Sequence, residues 1–445
     1  MAARTTRITY GQCLILASPT PAHQDNTTNL TGLKRVQSAA INFSFNRQRF
    51  KEIGSADYVG DVNMTNPDIT LDMDYLYSNG TNEIMLGLDV DGSKRAVLNG
   101  LRAPAKDNNF YVLFGSGVRD EVSWTSSDSD FKDNYTVMAL GNCFLNSYAI
   151  ESSVGELTSV KANIQADNLT AEPYDNSVQG ELIPAINPAT MKPSSSNRYK
   201  IKKSFFQNTT NQDGLIDSAF APSGIKLTLP EYVNVPGLEF TGADGAAFID
   251  SFSLNFNIDR SPLYGFGSIY PYGRRAILPV LGNLSFTATA SEFESGSLND
   301  LVILDNNKER DYNFTIDMVA PSGTTGLKIQ VEGAKVDGEG LSQSIDNFGA
   351  MEVQFSFSMS DTSGLKFSTP PLILSQPAGG SVAGGVSFGV VATGLSNLGY
   401  QWYKDGAVIG GATSSIYSPS GEGDYYAVIS NDLGSATSNT AVATT

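Results

Sequence analysis

The chain has 445 residues, a formal net charge of -17 and a sequence pI near 4.5. This acidity argues against tight sequence-specific DNA binding, because neutralising phosphates requires lysine and arginine in quantity. Hydrophobic residues make up 40% of the chain and aromatic residues 10%, which excludes a disordered or fibrous protein. The length suffices for roughly three domains, each with its own core.

The first module is predicted at residues 1–170, opening with a strand near its N-terminus. Alternating runs at 41–46 and 69–74 predict its next two strands. A short helix-like patch follows at 83–86, and a strand at 160–165 closes the module.

From about residue 171 the alternation stops, and residues 171–196 are predicted to form a proline-rich linker. The second module, predicted at 197–368, repeats the elements of the first in the same order. They lie at 252–257, 284–289, 298–304 and 353–358. The offset is 211 residues at the first strand and 215 at the second. Four elements in one order indicate that one β module is duplicated.

The C-terminal part contains the most specific local pattern. The runs 401–406 and 423–434 resemble strands C and F of an immunoglobulin-like (Ig-like) domain that would span 371–445. In that family a buried tryptophan packs between the sheets and a tyrosine corner fixes the start of strand F. The resemblance therefore implies that Trp402 and Tyr425 are core residues of this domain.

The Ig-like segment follows a junction that should be stiff, because Pro370 and Pro371 resist both helix and ladder pairing. The paired cysteines of antibody domains are replaced by Val390 and Ala427. This departure is compatible with a reducing compartment and leaves the predicted fold unchanged.

Cysteine usage and hydropathy bear on where the chain is made. Cys13 and Cys143 lie in unrelated segments, which argues against a disulfide framework and for synthesis in a reducing compartment. The apolar stretch at 13–17 is too short for a signal-peptide core. No run approaches the 18 apolar residues of a membrane helix. We expect a soluble chain that does not insert into membranes.

No catalytic, cofactor-binding or metal site is predicted. His23, the only histidine, lies in a polar stretch and is predicted to be an exposed loop residue. One histidine and two distant cysteines argue against zinc. The cluster Asp128, Asp130 and Asp133 could hold a hard cation, although a hydrated loop tip is the favoured interpretation. A phosphate-binding Gly-Lys-Ser/Thr loop is absent. We therefore expect a protein that is not an enzyme.

The architecture as a whole resembles the major tail tube protein of long-tailed, siphovirus-type bacteriophages. The best local elements are the runs 4–10, 147–156 and 182–188. In that family the Gly-Glu element, here Gly155 and Glu156, leads into a strand that lines the tube. The corresponding run of module two keeps Gly349 but lacks the glutamate.

The resemblance implies a mainly β fold with two tandem tail-tube-type β-barrel or sandwich modules, each with a short helix, and a C-terminal Ig-like β-sandwich. It implies a structural virion protein that polymerises as stacked rings of three subunits mimicking six modules. The tube would be assembled in the host cytoplasm and conduct the genome during ejection. Implied partners are tape measure, tail terminator and distal tail proteins, and double-stranded DNA that passes without specific binding.

The polar faces of the repeated strands support this interpretation independently. They are dominated by Asn, Ser, Thr and Gln, and their few charges lean negative, so such a wall would neither grip nor snag a phosphate backbone. The candidate lumen-lining residues are Asn42, Ser44, Asn46, Asp72, Asp74, Asn163, Gln165, Ser253, Asn255, Asn257, Ser285, Thr287, Gln354 and Ser356.

A binding protein is the competing class. In a capsid decoration protein or a surface adhesin, the β modules would be scaffolds and the Ig-like domain would bind glycan or a cell surface. The duplication is compatible with both classes, and an ordinary hydrophilic outer face would carry similar residues.

Overall fold

A computed structural model describes the part of the chain that follows. It comprises residues 8–18, 30–92, 96–102, 108–116, 135–173, 181–187, 189–193, 198–199, 225–228, 240–241, 246–247, 249–289, 303–304, 308–309, 311–319, 325–342, 350–360 and 362–445. Within these residues the protein is built mainly of β-strands in several sheets, with a few short helices. The prediction of a mainly β fold is thus confirmed. His23 and the cluster at 128–133 lie outside the described residues.

The N-terminal elements form two sheets that share one long strand. In chain order they are β1 Ile8–Ala17, β2 Thr31–Gly32, β3 Val36–Ser44, β4 Arg47–Phe50, β5 Gly60–Asn63, β6 Asp68–Leu76, α1 Thr81–Met85, α2 Asn99–Arg102, β7 Asn108–Ser116, β8 Tyr135–Ser153, β9 Ser159–Ala166 and β10 Asn168–Pro173. The first half of β8 lies between β7 and β10, and β7 also pairs with β1. Its second half pairs with β9, which is followed by β6 and then β3.

Four two-residue strands follow, in the stretch predicted as a linker. They are β11 Glu181–Leu182, β12 Ile186–Asn187, β13 Lys192–Pro193 and β14 Arg198–Tyr199, and β11 pairs with β14 and β12 with β13. Ile183 and Ala185 are buried against Leu16 and Tyr111. This part of the predicted linker therefore packs on the preceding sheet.

The next elements repeat the pairings of the first set. They are β15 Ile225–Thr228, β16 Phe240–Thr241, β17 Ala246–Ala247, β18 Ser251–Asn257, β19 Arg260–Leu263, β20 Gly273–Ala276, β21 Val280–Thr289, β22 Ile303–Leu304, β23 Lys308–Glu309, β24 Tyr312–Val319, β25 Thr325–Ser342, β26 Ala350–Met359 and β27 Leu365–Ser368. Strand β25 takes the place of β8: its first half lies between β24 and β27, and its second half pairs with β26. Strands β26, β21 and β18 then follow in the order of β9, β6 and β3.

Predicted elements of both copies are found in these sheets. Residues 83–86 of the first helix-like patch lie at α1. In the second patch Ile303 and Leu304 form β22 instead of a helix, and 298–302 lie outside the described residues.

Strand boundaries give a single offset for the repeat. Arg47 begins β4 and Arg260 begins β19, which puts them 213 residues apart (260 less 47). Gly60 begins β5 and Gly273 begins β20, at the same separation (273 less 60). The offsets of 211 and 215 estimated from the sequence were therefore wrong by two residues in opposite directions. Because side chains alternate with a period of two, an error of two leaves each residue on its assigned face.

The C-terminal domain is a small β-sandwich. Its strands are β28 Leu372–Ser375, β29 Gly380–Ser381, β30 Phe388–Gly389, β31 Val391–Thr393, β32 Gly399–Lys404, β33 Ala407–Val408, β34 Ile416–Tyr417, β35 Gly423–Asn431, β36 Gly434–Thr437 and β37 Ala441–Thr444. One sheet has the order β29, β37, β35, β32, β33, with β36 also on β35, and β28 pairs with β31 and β30 with β34.

The core of this sandwich is built around Trp402, which is 0% exposed and donates its indole N–H to the Ser414 carbonyl at 2.8 Å. Tyr425 is buried beside it and donates its hydroxyl to the Gly421 carbonyl, four residues upstream, at 2.8 Å. Val390 is also buried there. Apolar packing therefore occupies the space between the sheets.

The sandwich is held to the modules by hydrogen bonds at the proline junction. The Asn431 amide donates to the Thr369 carbonyl at 3.0 Å, and the Leu395 N–H donates to the same oxygen. The Ser396 N–H donates to the Asp91 carboxylate at 2.8 Å. These contacts restrict the junction in addition to its two prolines.

Candidate functional site

The candidate site is one face of a sheet that runs through both modules. Strand β8 pairs with β18 over seven consecutive residue pairs, from Ser153 opposite Ser251 to Ser147 opposite Asn257. The strand order is therefore β3, β6, β9, β8, β18, β21, β26, β25. This eight-stranded sheet is called the wall sheet below.

The two faces of the wall sheet differ sharply. Residues directly opposite each other in antiparallel strands lie on the same face. One row across all eight strands consists of Ser38, Asp74, Lys161, Ala149, Asn255, Asn283, Ser356 and Lys335. The adjacent residues of the other face, such as Leu71, Ile164 and Phe286, are at most 2% exposed. One face is polar and the other belongs to the main core.

The structure brings thirteen of the fourteen candidate residues together on the polar face. They are Asn42 and Ser44 on β3; Asp72 and Asp74 on β6; Asn163 and Gln165 on β9; Ser253, Asn255 and Asn257 on β18; Ser285 and Thr287 on β21; and Gln354 and Ser356 on β26. Asn46 lies between β3 and β4, where its carbonyl accepts the Met64 N–H at 3.1 Å. It is therefore next to the wall sheet and not in it.

Sequence reasoning missed the contributions of β8 and β25 to the polar face. Strand β8 supplies Ser147, Ala149 and Glu151, and β25 supplies Lys335. The signal in β8 was present, because the apolar Tyr148 and Ile150 alternate with these residues and are buried. In β25 a bulge at Asp337 interrupts the alternation, which hides the strand from a period-two search.

The polar face carries an excess of negative charge. Its carboxylates are Asp68, Asp72, Asp74, Glu151 and Glu352, and its ammonium groups are Lys161 and Lys335. The Lys161 ammonium donates to Glu151 at 2.9 Å, and this hydrogen bond raises the pKa of the lysine. Both groups of this pair are solvent-exposed, so the pair contributes little to stability.

The other carboxylates accept hydrogen bonds from neutral side chains on neighbouring strands. Asp72 accepts from the amides of Asn42, at 3.0 Å, and Asn163. Asp74 accepts from the Ser38 hydroxyl at 2.8 Å. Gln165 donates in the same way to Asp68 at 2.9 Å. These acids are thus held in place by amides and hydroxyls, which leave their negative charge on the face.

A buried carboxylate lies behind the wall sheet. Glu83 of α1 is 1% exposed and accepts hydrogen bonds from the hydroxyls of Tyr75, at 2.8 Å, and Tyr148, at 3.2 Å. Burial raises the pKa of Glu83 to about 7 despite these bonds. It has no access to the polar face, so we assign it to the core of the first module.

An arginine cluster fastens the second module to the first beside the β8–β18 seam. Arg274 forms an ion pair with Asp167, and these side chains are only 5% and 7% exposed. Arg260 donates to the Leu145 carbonyl at 3.3 Å. Both guanidinium groups lie over the Phe144 ring, at 5.1 Å for Arg260 and 5.8 Å for Arg274. Burial, with the neighbouring Arg274 charge, lowers the pKa of Arg260 to about 10.

Two further searches were confined to the described residues. They contain no group of three or more His, Cys, Asp or Glu side chains placed to hold a metal ion. None of the helices there is long and apolar enough to cross a membrane.

Comparisons with known proteins give distant structural matches only. No protein-family model matches the chain. No curated protein matches it either. Among solved structures, the tube-terminating cap of the anti-feeding prophage matches at 11% identity and a TM-score of 0.26, covering 36% of this chain and 99% of that chain. The sheath/tube terminator of the PVC extracellular contractile injection system has the same identity and TM-score, covering 34% and 99%.

Tandem Ig repeats of Dlar match at 13% identity and a TM-score of 0.15, covering 30% of this chain and 87% of that chain. The chain thus has distant structural similarity to tube-terminator proteins of injection systems and to Ig-like domains. At these scores the similarity carries no functional argument, which has to come from the geometry of the chain itself.

Proposed function

We propose that this chain is a structural virion protein whose copies form stacked rings, and that the stack is the tail tube through which the genome is ejected. The observation that carries the proposal is the wall sheet, which is polar on one face, buried on the other and continuous through both modules. The polar face would line the channel.

The chemistry of the polar face suits passage of DNA without binding. A surface that grips DNA neutralises phosphates with lysine and arginine. Here five carboxylates oppose two lysines, and one of those lysines is paired with Glu151. The remaining side chains are amides and hydroxyls held by cross-strand hydrogen bonds. Such a face repels phosphates weakly and gives them no fixed attachment point.

Ring closure would use the two edges of the wall sheet. Within the described residues β3 pairs only with β6. Phe43 on β3 faces the core side yet is 58% exposed, whereas its counterpart Phe256 on β18 is 1% exposed and stacks on Tyr148 at 5.5 Å. The covering partner of Phe256 is β8, and the counterpart of β8 is β25. We therefore assign the cover of β3 to β25 of another copy.

The strand count favours three copies in a ring. Strands in a sheet lie about 4.8 Å apart, so 24 strands enclose a circle at least ~37 Å across, and side chains about 5 Å deep leave ~27 Å. This channel admits a B-form duplex. Two copies would leave only ~14 Å by the same reckoning, which is too narrow.

The remaining assignments follow from a tail tube. Tape measure, tail terminator and distal tail proteins would be the partners, with assembly in the host cytoplasm and final location in the virion tail. The domain limits belong to the same proposal: tube modules at 1–170 and 197–368, a linker at 171–196, and an Ig-like domain at 371–445.

Electron microscopy of the purified full chain tests the proposal. We expect rings of three copies that stack into hollow tubes, with Asn42, Asp72, Asn255 and Thr287 facing the channel. A decoration protein or adhesin would instead stay monomeric or form compact trimers. A ring with these four residues on its outer surface would also refute the proposal.

A further inference from the structure

Two hairpins of the chain end in fully exposed apolar side chains. Phe266, in the tip of the β19–β20 hairpin, is 113% exposed, and Ile53, in the tip of the β4–β5 hairpin, is 109% exposed. Each precedes a glycine with positive φ, Gly267 at 92° and Gly54 at 95°. The same apolar knob is therefore presented twice, by the same backbone turn. Exposure of this kind on a soluble protein marks an interaction site.

An apolar cleft opens beside the start of β18. Its lining includes Ser153, Val154, Ile225, Ile249, Phe252 and Ile316. The cleft contains about 420 Å³ of empty space, open solvent included. An apolar cavity of about 150 Å³ is enough to hold a benzene ring, so the cleft has room for a phenylalanine side chain.

The knob and the cleft lie at opposite ends of the same strand. The cleft contains Ser251 and Phe252 at the start of β18, and the hairpin follows Asn257 at its end. A strand of seven residues spans about 20 Å, so Phe266 cannot reach the cleft of its own chain. Strands β3 and β18 run in the same direction, because an even number of antiparallel steps separates them. Both hairpins therefore project toward the same end of the wall sheet.

The charges at the two ends are complementary. Residues 260–276 contain three arginines, Arg260, Arg274 and Arg275, and no carboxylate. The rim of the cleft carries the exposed acids Asp250 and Glu156. A head-to-tail approach of two copies would bring the basic hairpin to the acidic rim.

We propose that Phe266 inserts into the cleft of a second copy of this chain in the next ring, and that this contact stacks the rings. The inference rests on the proposed tube function and names the surface that extends the tube. The contact is heterologous, since knob and cleft are different surfaces. A heterologous contact along an axis does not close and so produces an open filament. Ile53 would make the corresponding contact at the cleft formed between neighbouring copies of a ring.

The test compares the full chain with the double variant Phe266→Ser, Ile53→Ser by electron microscopy and mass measurement. We expect rings of the same mass as wild type and loss of tubes at concentrations where wild type polymerises. Val408→Ser is the matched control, because Val408 is an exposed apolar residue of the Ig-like domain, at 59%. It should stack normally.

A cross-link tests the contact directly. Cysteines can be joined only when their Cα atoms lie within about 7 Å, so a disulfide between Phe266→Cys and Val154→Cys must join different copies. Oxidised tubes of this double variant should give covalent multimers that both single variants lack. Normal tubes from the double serine variant, or tubes of the cysteine variant without cross-links, would overturn the inference while leaving ring formation standing. Failure of wild type to form rings would instead overturn the proposed function and the inference with it.

Discussion

The ion pair between Arg274 and Asp167 should control how firmly the two modules are joined. Asp167→Asn removes the carboxylate and leaves the buried guanidinium of Arg274 beside that of Arg260, over the same Phe144 ring. Removing one partner of a buried pair typically costs about 3 to 5 kcal/mol, because the remaining charge is uncompensated. We expect the seam between β8 and β18 to lose stability on that scale.

Hydrogen exchange of the β18 and β20 amides is the appropriate assay, because it reports local opening. At about 1.36 kcal/mol per factor of ten, exchange should accelerate roughly 10² to 10³-fold. The matched control is Asp311→Asn, which breaks the exposed pair with Lys335, whose side chains are 46% and 66% exposed. An exposed pair contributes about 0 to 1 kcal/mol.

Replacing both partners by apolar residues separates charge from packing. Asp167→Leu with Arg274→Met should recover much of the lost protection, since a buried pair exchanged for apolar side chains of similar volume is often neutral. Unchanged exchange in Asp167→Asn would show that the pair does not hold the seam.

Three further perturbations have defined outcomes. Trp402→Ala should cost the Ig-like domain about 3 to 5 kcal/mol as a large-to-small core change, seen as faster exchange of β35, and unaltered exchange there would show that Trp402 is not a core residue. Glu83 has its pKa raised to about 7, so between pH 4.5 and 7 the folded state keeps a proton that the unfolded state releases. Stability should therefore fall by about 3 kcal/mol across that window, and Glu83→Gln should remove this slope in urea unfolding; a slope that persists would assign it to other groups. Asp72→Lys with Asp74→Lys should leave rings intact but slow genome ejection at low salt, with the difference shrinking as ionic strength rises; equal rates in full-length tails would mean that these residues do not face the DNA.

The polar face could be predicted because it depends on local alternation. Asn42, Asp72 and Ser285 were assigned to one face from period-two patterns, and pairing puts them on the same face of the wall sheet. The assignment survived a two-residue error in the repeat offset, since only an odd shift moves a side chain to the other face.

The seam and its arginine cluster could not be predicted in this way. Pairing of β8 with β18 joins residues about a hundred positions apart, and nothing in either strand specifies the other. The environment of Asp167 has the same origin. It follows β9 in the first module, while Arg274 comes from a hairpin of the second, so neither residue is unusual until the modules meet.

The repeat offset shows what duplication changes chemically. The position of Arg274 on β20 corresponds to Asp61 on β5, and that of Arg260 corresponds to Arg47. Asp61 pairs with Arg47 within its own hairpin at 4.0 Å, with both side chains about half exposed. In the proposed ring the two kinds of seam would share a backbone arrangement but not a charge arrangement. The seam inside a chain is tethered, so it forms at a high effective concentration and can bury a paired charge. The seam between chains must form by encounter, and there the corresponding charges remain paired within one hairpin and in solvent. Fusing two modules therefore halves the number of contacts that assembly must make, and it confines the buried ion pair to the contacts that are complete before assembly starts.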